Sequence, residues 1–130
     1  MAVRESPVRF SRILVADDDP LVRRQFAKKL RSAGYSVSEA KSGSEVLSLL
    51  RRTHFRLLVL DLDMPDDGPD GFEILKTVRT ELPHLQVLVI SGYLEGALLE
   101  AAECLGARLS LAKDSAHRLL LQSTRRLLGE

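Results

Sequence analysis

Short apolar runs alternate with helix-period segments along the whole chain, five of each. That alternation leaves few folds open. Strands linked one by one through helices pair in parallel, by right-handed crossovers, with helices on both faces of the sheet. The runs Ile13–Ala16, Tyr35–Ala40, Leu57–Leu60, Val87–Ile90 and Leu109–Ala112 are the predicted strands. Tyr35–Ala40 is half polar, as suits a sheet edge, whereas Leu57–Leu60 is wholly apolar, as suits a strand covered on both faces. Between them, Val22, Phe26, Leu30 and Ala33 recur at helical spacing behind Pro20, with Gly34 placed to close the helix. Ser42–Thr53 is predicted as the second helix, with Val46, Leu47 and Leu50 inward. Stripes of Ile74, Leu75, Val78 and Leu82, then of Leu94, Leu98, Ala101, Ala102 and Leu105, predict the third and fourth. The last helix is expected over Ser115–Leu128, with Ala116, Leu119, Leu120 and Leu127 inward. The fold class is therefore α/β, a doubly wound parallel five-stranded sheet.

At 130 residues the chain holds one domain of ordinary size. Its single cysteine, Cys104, can form no internal disulfide, its apolar runs are too short to span a bilayer, and no apolar stretch follows Arg4, Arg9 and Arg12 as a secretory signal would need. A cytoplasmic location is the expectation. The net charge of +1 disfavours nucleic acid as a partner. Beneath it lies a segregation: eight of the nine aspartates fall in 17–19 and 61–73, and Leu57 to Glu73 contains no Lys or Arg.

In an open parallel sheet, ligands bind beyond the carboxyl ends of the strands. The first predicted strand ends in Asp17 and Asp18, the third in Asp61, the fourth in Ser91 and the fifth in Lys113. If the strand order is the flavodoxin-like 2-1-3-4-5, these side chains converge on one edge. Three carboxylates so close repel one another unless a cation joins them, and a few hard oxygen ligands suit Mg²⁺. A carboxylate beside such an ion can attack phosphorus and become an acyl phosphate, with a hydroxyl and an ammonium flanking the transferred group.

The strings ILVADDDP, LLVLDLDMP, VLVISGY and LAK, in this order and spacing, resemble the receiver domain of two-component response regulators. The resemblance runs from about Ser11 to Leu128 and implies the (βα)5 fold with strand order 2-1-3-4-5. It implies a phosphoacceptor at Asp61, Mg²⁺ (or Mn²⁺) held by Asp17, Asp18, Asp61 and the backbone carbonyl of Asp63, and phosphate contacts from Ser91 and Lys113. The implied partners are a histidine kinase or histidine phosphotransfer protein and a downstream protein, with no membrane; a homodimer is left open. The implied organisation is a tail over 1–11 and a receiver over 12–128, without an output domain. Such a chain is a phosphoacceptor that assists its own phosphorylation and dephosphorylation, not an enzyme with an external substrate.

Three positions depart from the pattern. Asp114 follows Lys113 where proline is usual, the loop after Pro65 is two residues longer, and Ser110 stands where an aromatic switch residue normally swings inward. Ser110 and Asp114 motivate a second reading, a binding module that works without phosphorylation. A third, a haloacid-dehalogenase-like phosphatase, is suggested by Asp61-Leu62-Asp63 but has its acidic pair in the wrong order. Asp63 and Tyr93 flank the path of attacking water in the family, so Tyr93 is expected to shield the acyl phosphate. The plainer expectations are that Asp17–Asp19 cap the first helix, and that Asp66, Asp67 and Asp70 form turns. His54, His84 and Cys104 have no partner at metal spacing. The basic residues of the first helix (Arg23, Arg24, Lys28, Lys29, Arg31) are expected to form a solvated face, or else a docking patch for a phosphodonor.

Overall fold

A computed structural model describes residues 11–64, 68–92 and 96–130, and for 96–99 the backbone alone. The elements follow in strict alternation: β1 Arg12–Ala16, α1 Pro20–Ser32, β2 Ser36–Ala40, α2 Gly43–Arg52, β3 Leu57–Asp61, α3 Gly71–Glu81, β4 Gln86–Ser91, α4 Gly96–Cys104, β5 Leu109–Ala112 and α5 Lys113–Leu127. All strands pair in parallel in the order β2-β1-β3-β4-β5, the fold expected from the sequence.

Successive residues of a strand point to opposite faces, so a sheet covered on both sides needs apolar residues at every position. Leu14, Leu58, Leu60, Val87 and Val89 face one side, against Val46 and Leu50 of α2, Ile74, Leu75 and Val78 of α3, and Ala102 of α4. Ile13, Val15, Leu57, Val59, Leu88 and Ile90 face the other, against Phe26 and Leu30 of α1 and Ala116 and Leu120 of α5. β2 has only Ala40 buried and closes the edge beside β1.

The helix ends follow from their sequences. Asp19 caps α1, its carboxylate accepting from the Leu21 and Val22 N–H groups with Pro20 at the first helical position, and Ser42 caps α2. Gly34 ends α1 with φ +102°, the left-handed conformation that glycine adopts without a Cβ penalty. Asp70 is more than a turn former: with Glu73 it makes a reciprocal capping box on α3.

Four expectations need correction. Tyr35 precedes β2 rather than joining it, and its hydroxyl donates to Glu130 Oε2 at 2.7 Å. Ala101 is exposed, so α4 turns only Ala102 of that pair inward. α5 begins at Lys113, two residues early, and buries Ser123 and Thr124 while Leu119 and Leu127 are only partly covered. The basic face of α1 is partly structural: Arg23 donates to the Asp17 carbonyl and Glu39, Arg31 to Glu39 and the Val37 carbonyl, and Lys29 to the His117 carbonyl. Among the described residues, no helix is long and apolar enough to cross a membrane.

Candidate functional site

Sheet register builds the site. Ala16 pairs with Leu60, so Asp17 and Asp61 follow side by side; Asp61 pairs with Ile90, so Ser91 comes next; Ser91 pairs with Ala112, and Lys113 follows. Each step across the sheet thus delivers one polar residue to the same edge. Asp17, Asp61 and Ser91 are almost wholly buried, at 1%, 2% and 0% exposure, whereas Asp18 opens to solvent.

Lys113 Nζ lies 3.2 Å from Asp61 Oδ2 and 3.7 Å from Asp17 Oδ2. Although Asp114 replaces the expected proline, the lysine reaches Asp61 because α5 starts at Lys113 itself, behind an extended Ala112. Burial lowers the affinity of the Lys113 ammonium for its proton. The Asp61 and Asp17 carboxylates more than offset this, so the ammonium holds its proton above the ordinary lysine value. Asp17 is pushed up to about 7, first by burial and then by the charge of Asp61. The Asp19 N–H and Lys113 oppose the rise.

The carboxylates are held by short local contacts. Asp17 Oδ1 accepts from the Asp19 N–H and Asp61 Oδ1 from the Asp63 N–H, each at 2.9 Å. Asp17 Oδ2 is buried and accepts no hydrogen bond from the described residues. One oxygen from each of Asp17, Asp18 and Asp61 can be chosen so that all lie within 4.8 Å of one another. A buried acceptor without a donor, among hard oxygen ligands, fits a small divalent cation such as Mg²⁺ or Mn²⁺.

The structure therefore brings together all of Asp17, Asp18, Asp61, Asp63, Ser91 and Lys113. Sequence reasoning gave Asp63 a carbonyl ligand and a place beside the path of attacking water, but missed that its carboxylate is held by the end of β4. It accepts from Ser91 Oγ at 3.0 Å and from the Gly92 N–H at 2.6 Å. Nothing in the local sequence signals this contact, since it spans 28 residues and depends on the β3–β4 register. Ser110 Oγ, at the position of the expected aromatic, instead donates to Glu103 Oε2 of α4 at 2.6 Å. Tyr93, Pro65, Asp66 and Asp67, and the tail over 1–10, lie outside the described residues.

Comparison with known proteins bears on this geometry. The response regulator receiver domain family matches residues 13–125. The transcriptional activator protein ExaE of Pseudomonas putida is 36% identical over 119 residues, covering 90% of this chain and 55% of its own length. The response regulator receiver protein CpdR of Brucella abortus is 36% identical over 87 residues, 67% of this chain and 71% of its own. The crystal structure of a CheY-like receiver domain protein from Methanospirillum hungatei superposes with a TM-score of 0.85 at 26% identity, covering 92% of this chain and 94% of that one. The chain spans about half the length of ExaE. A five-stranded sheet of this order, matched by one family from β1 into α5, makes the chain a member of the response regulator receiver domain family.

Proposed function

We propose that the chain is a receiver that accepts a phosphoryl group on Asp61 from a phosphohistidine of a histidine kinase or phosphotransfer protein, with a divalent cation held by Asp17, Asp18, Asp61 and the Asp63 carbonyl. The observation that carries this reading is the approach of Lys113 Nζ to Asp61 Oδ2 at 3.2 Å, with the Asp17 carboxylate beside it. A buried carboxylate gripped by an ammonium at a strand end is a poor structural device but a good nucleophile site.

In the transfer, an Asp61 carboxylate oxygen forms the new O–P bond as the P–N bond breaks, and the electron pair leaves with the imidazole. The Asp63 N–H on Asp61 Oδ1 holds the carboxylate in one orientation. The ammonium of Lys113 stands at the acceptor and Ser91 ends the adjoining strand, so an ammonium and a hydroxyl are available to the negative charge that gathers on the transferred oxygens. When bound, the cation neutralises charge on the carboxylates and the incoming phosphoryl oxygens.

The domain is proposed to occupy 12–128, and output to pass by protein–protein contact or onward phosphotransfer. Incubation with acetyl phosphate and Mg²⁺ should add one phosphate by intact mass, and Asp61→Asn should abolish it. An adduct that survives Asp61→Asn overturns the assignment. Family membership leaves the phosphatase reading without support. A module acting without phosphorylation is the second reading, favoured by the Ser110–Glu103 bond in place of an aromatic switch. Equal partner affinity for the protein with and without phosphate on Asp61 would select it.

A further inference from the structure

A phosphoryl group on Asp61 needs hydrogen-bond donors at the carboxyl end of β4, and two donors among the described residues there already face an anion. Ser91 Oγ donates to one oxygen of the Asp63 carboxylate at 3.0 Å, and the Gly92 N–H to the other at 2.6 Å. A hydroxyl and a backbone amide have one proton each to give, so neither can serve a second acceptor at full strength. Two oxygens of one anion on this donor pair, with Lys113 beside them, reproduce what a phosphoryl group would ask of the same residues. The Asp63 charge also helps to hold the Lys113 ammonium protonated. The fit is close: a Cβ added to Gly92 would lie 3.3 Å from Asp63 Oδ2 and 3.5 Å from Lys113 Cδ.

The same residue grips the acceptor from its other end, because the Asp63 N–H donates to Asp61 Oδ1 at 2.9 Å. The Asp63 side chain is half-buried at the mouth of the site, so it has solvent to swing into. From this geometry we infer that the Asp63 carboxylate is a built-in stand-in for the phosphoryl group. It occupies Ser91 and Gly92 while Asp61 is unmodified and is expelled when Asp61 carries phosphate. This inference rests on the phosphoacceptor reading and deepens it. Phosphorylation must displace an internal competitor, and a free Asp63 carboxylate marks the phosphorylated state.

The test uses beryllofluoride, a phosphoryl mimic, with Mg²⁺ held constant. Asp63→Ala vacates both donors, and Asp63→Asn keeps only one acceptor oxygen. The expected affinities rise in the order wild type, Asp63→Asn, Asp63→Ala, with the alanine variant about tenfold tighter than wild type. In the wild type without ligand, the Gly92 amide proton should resonate far downfield because its partner is a charged carboxylate at short distance. It should lose that shift in Asp63→Ala and regain it when beryllofluoride is added. Equal or weaker binding by Asp63→Ala, with wild-type binding intact, overturns the competitor and leaves Asp61 as phosphoacceptor. A Gly92 shift that ignores Asp63→Ala overturns it as well. Absence of binding by wild type and Asp63→Ala alike overturns the phosphoacceptor reading itself, and the competitor with it.

Discussion

Lys113 is the first residue of α5, and its ammonium stands 3.2 Å from Asp61 Oδ2, across 52 residues of sequence. One cation thereby serves two buried carboxylates, since Asp17 Oδ2 lies 3.7 Å from the same nitrogen. In the absence of metal this lysine is the counterion of the site. A charge removed from such a cluster leaves its partners buried without compensation.

Replacing Lys113 by methionine should therefore destabilise the metal-free protein by about 1–2 kcal/mol at neutral pH, a discount for the partly exposed lysine included. Saturating Mg²⁺ should close most of the gap, because the cation takes over the counterion role. Urea midpoints with EDTA and with Mg²⁺ measure both effects. A deficit that Mg²⁺ leaves unchanged would show that the lysine and the cation do not serve the same carboxylates.

Asp17 makes stability depend on pH. Its value in the folded protein, about 7, is above the 3.8 of an ordinary aspartate, so the folded state binds the extra proton between them. Stability is then full below about pH 4 as far as this group is concerned. It falls as pH rises toward 7, with a slope of at most about 1.4 kcal/mol per unit. Metal-free wild type should lose urea midpoint from pH 5 to pH 8 relative to Asp17→Asn, which has no proton to lose there. Parallel profiles for the two proteins would contradict the assignment.

Asp18 separates metal binding from stability. It is exposed, yet one of its oxygens belongs to the cluster with Asp17 and Asp61. Asp18→Asn should weaken Mg²⁺ binding roughly tenfold by calorimetry, as expected for loss of one anionic ligand from a small set, while moving the EDTA midpoint by less than about 0.5 kcal/mol. Unchanged Mg²⁺ affinity would remove Asp18 from the ligand set.

Gly43 should resist replacement although it is a helical position. Helix propensity alone would favour alanine by about 1 kcal/mol. A Cβ there would lie 2.0 Å from the carbonyl oxygen of Pro69, however, and backbone cannot yield as a side chain can. Gly43→Ala should cost about 1–3 kcal/mol, read from the urea midpoint, by forcing the loop before α3 off the first turn of α2. A stabilised variant would mean that this loop is not seated on α2.

The sequence alone determined the parallel α/β architecture, the polar residues that end four of the five strands and the presence of an acidic cap before α1. These are local properties: a run of apolar residues, a period, or a cap next to its helix. Of three consecutive aspartates, sequence could say that one cap suffices. Tertiary structure decided that Asp19 is the cap, Asp17 the buried carboxylate and Asp18 the exposed one, since chain direction at the end of β1 sorts them. The strand order was implied by resemblance and not by periodicity, because apolar runs say which residues are buried but not which strands are neighbours. The lone-residue register steps that gather Asp61, Ser91 and Lys113 exist only in the paired sheet. The Asp63 carboxylate on Ser91 and Gly92 depends on the same pairing, since one donor ends the next strand over and the other follows it, beyond the reach of any local signal.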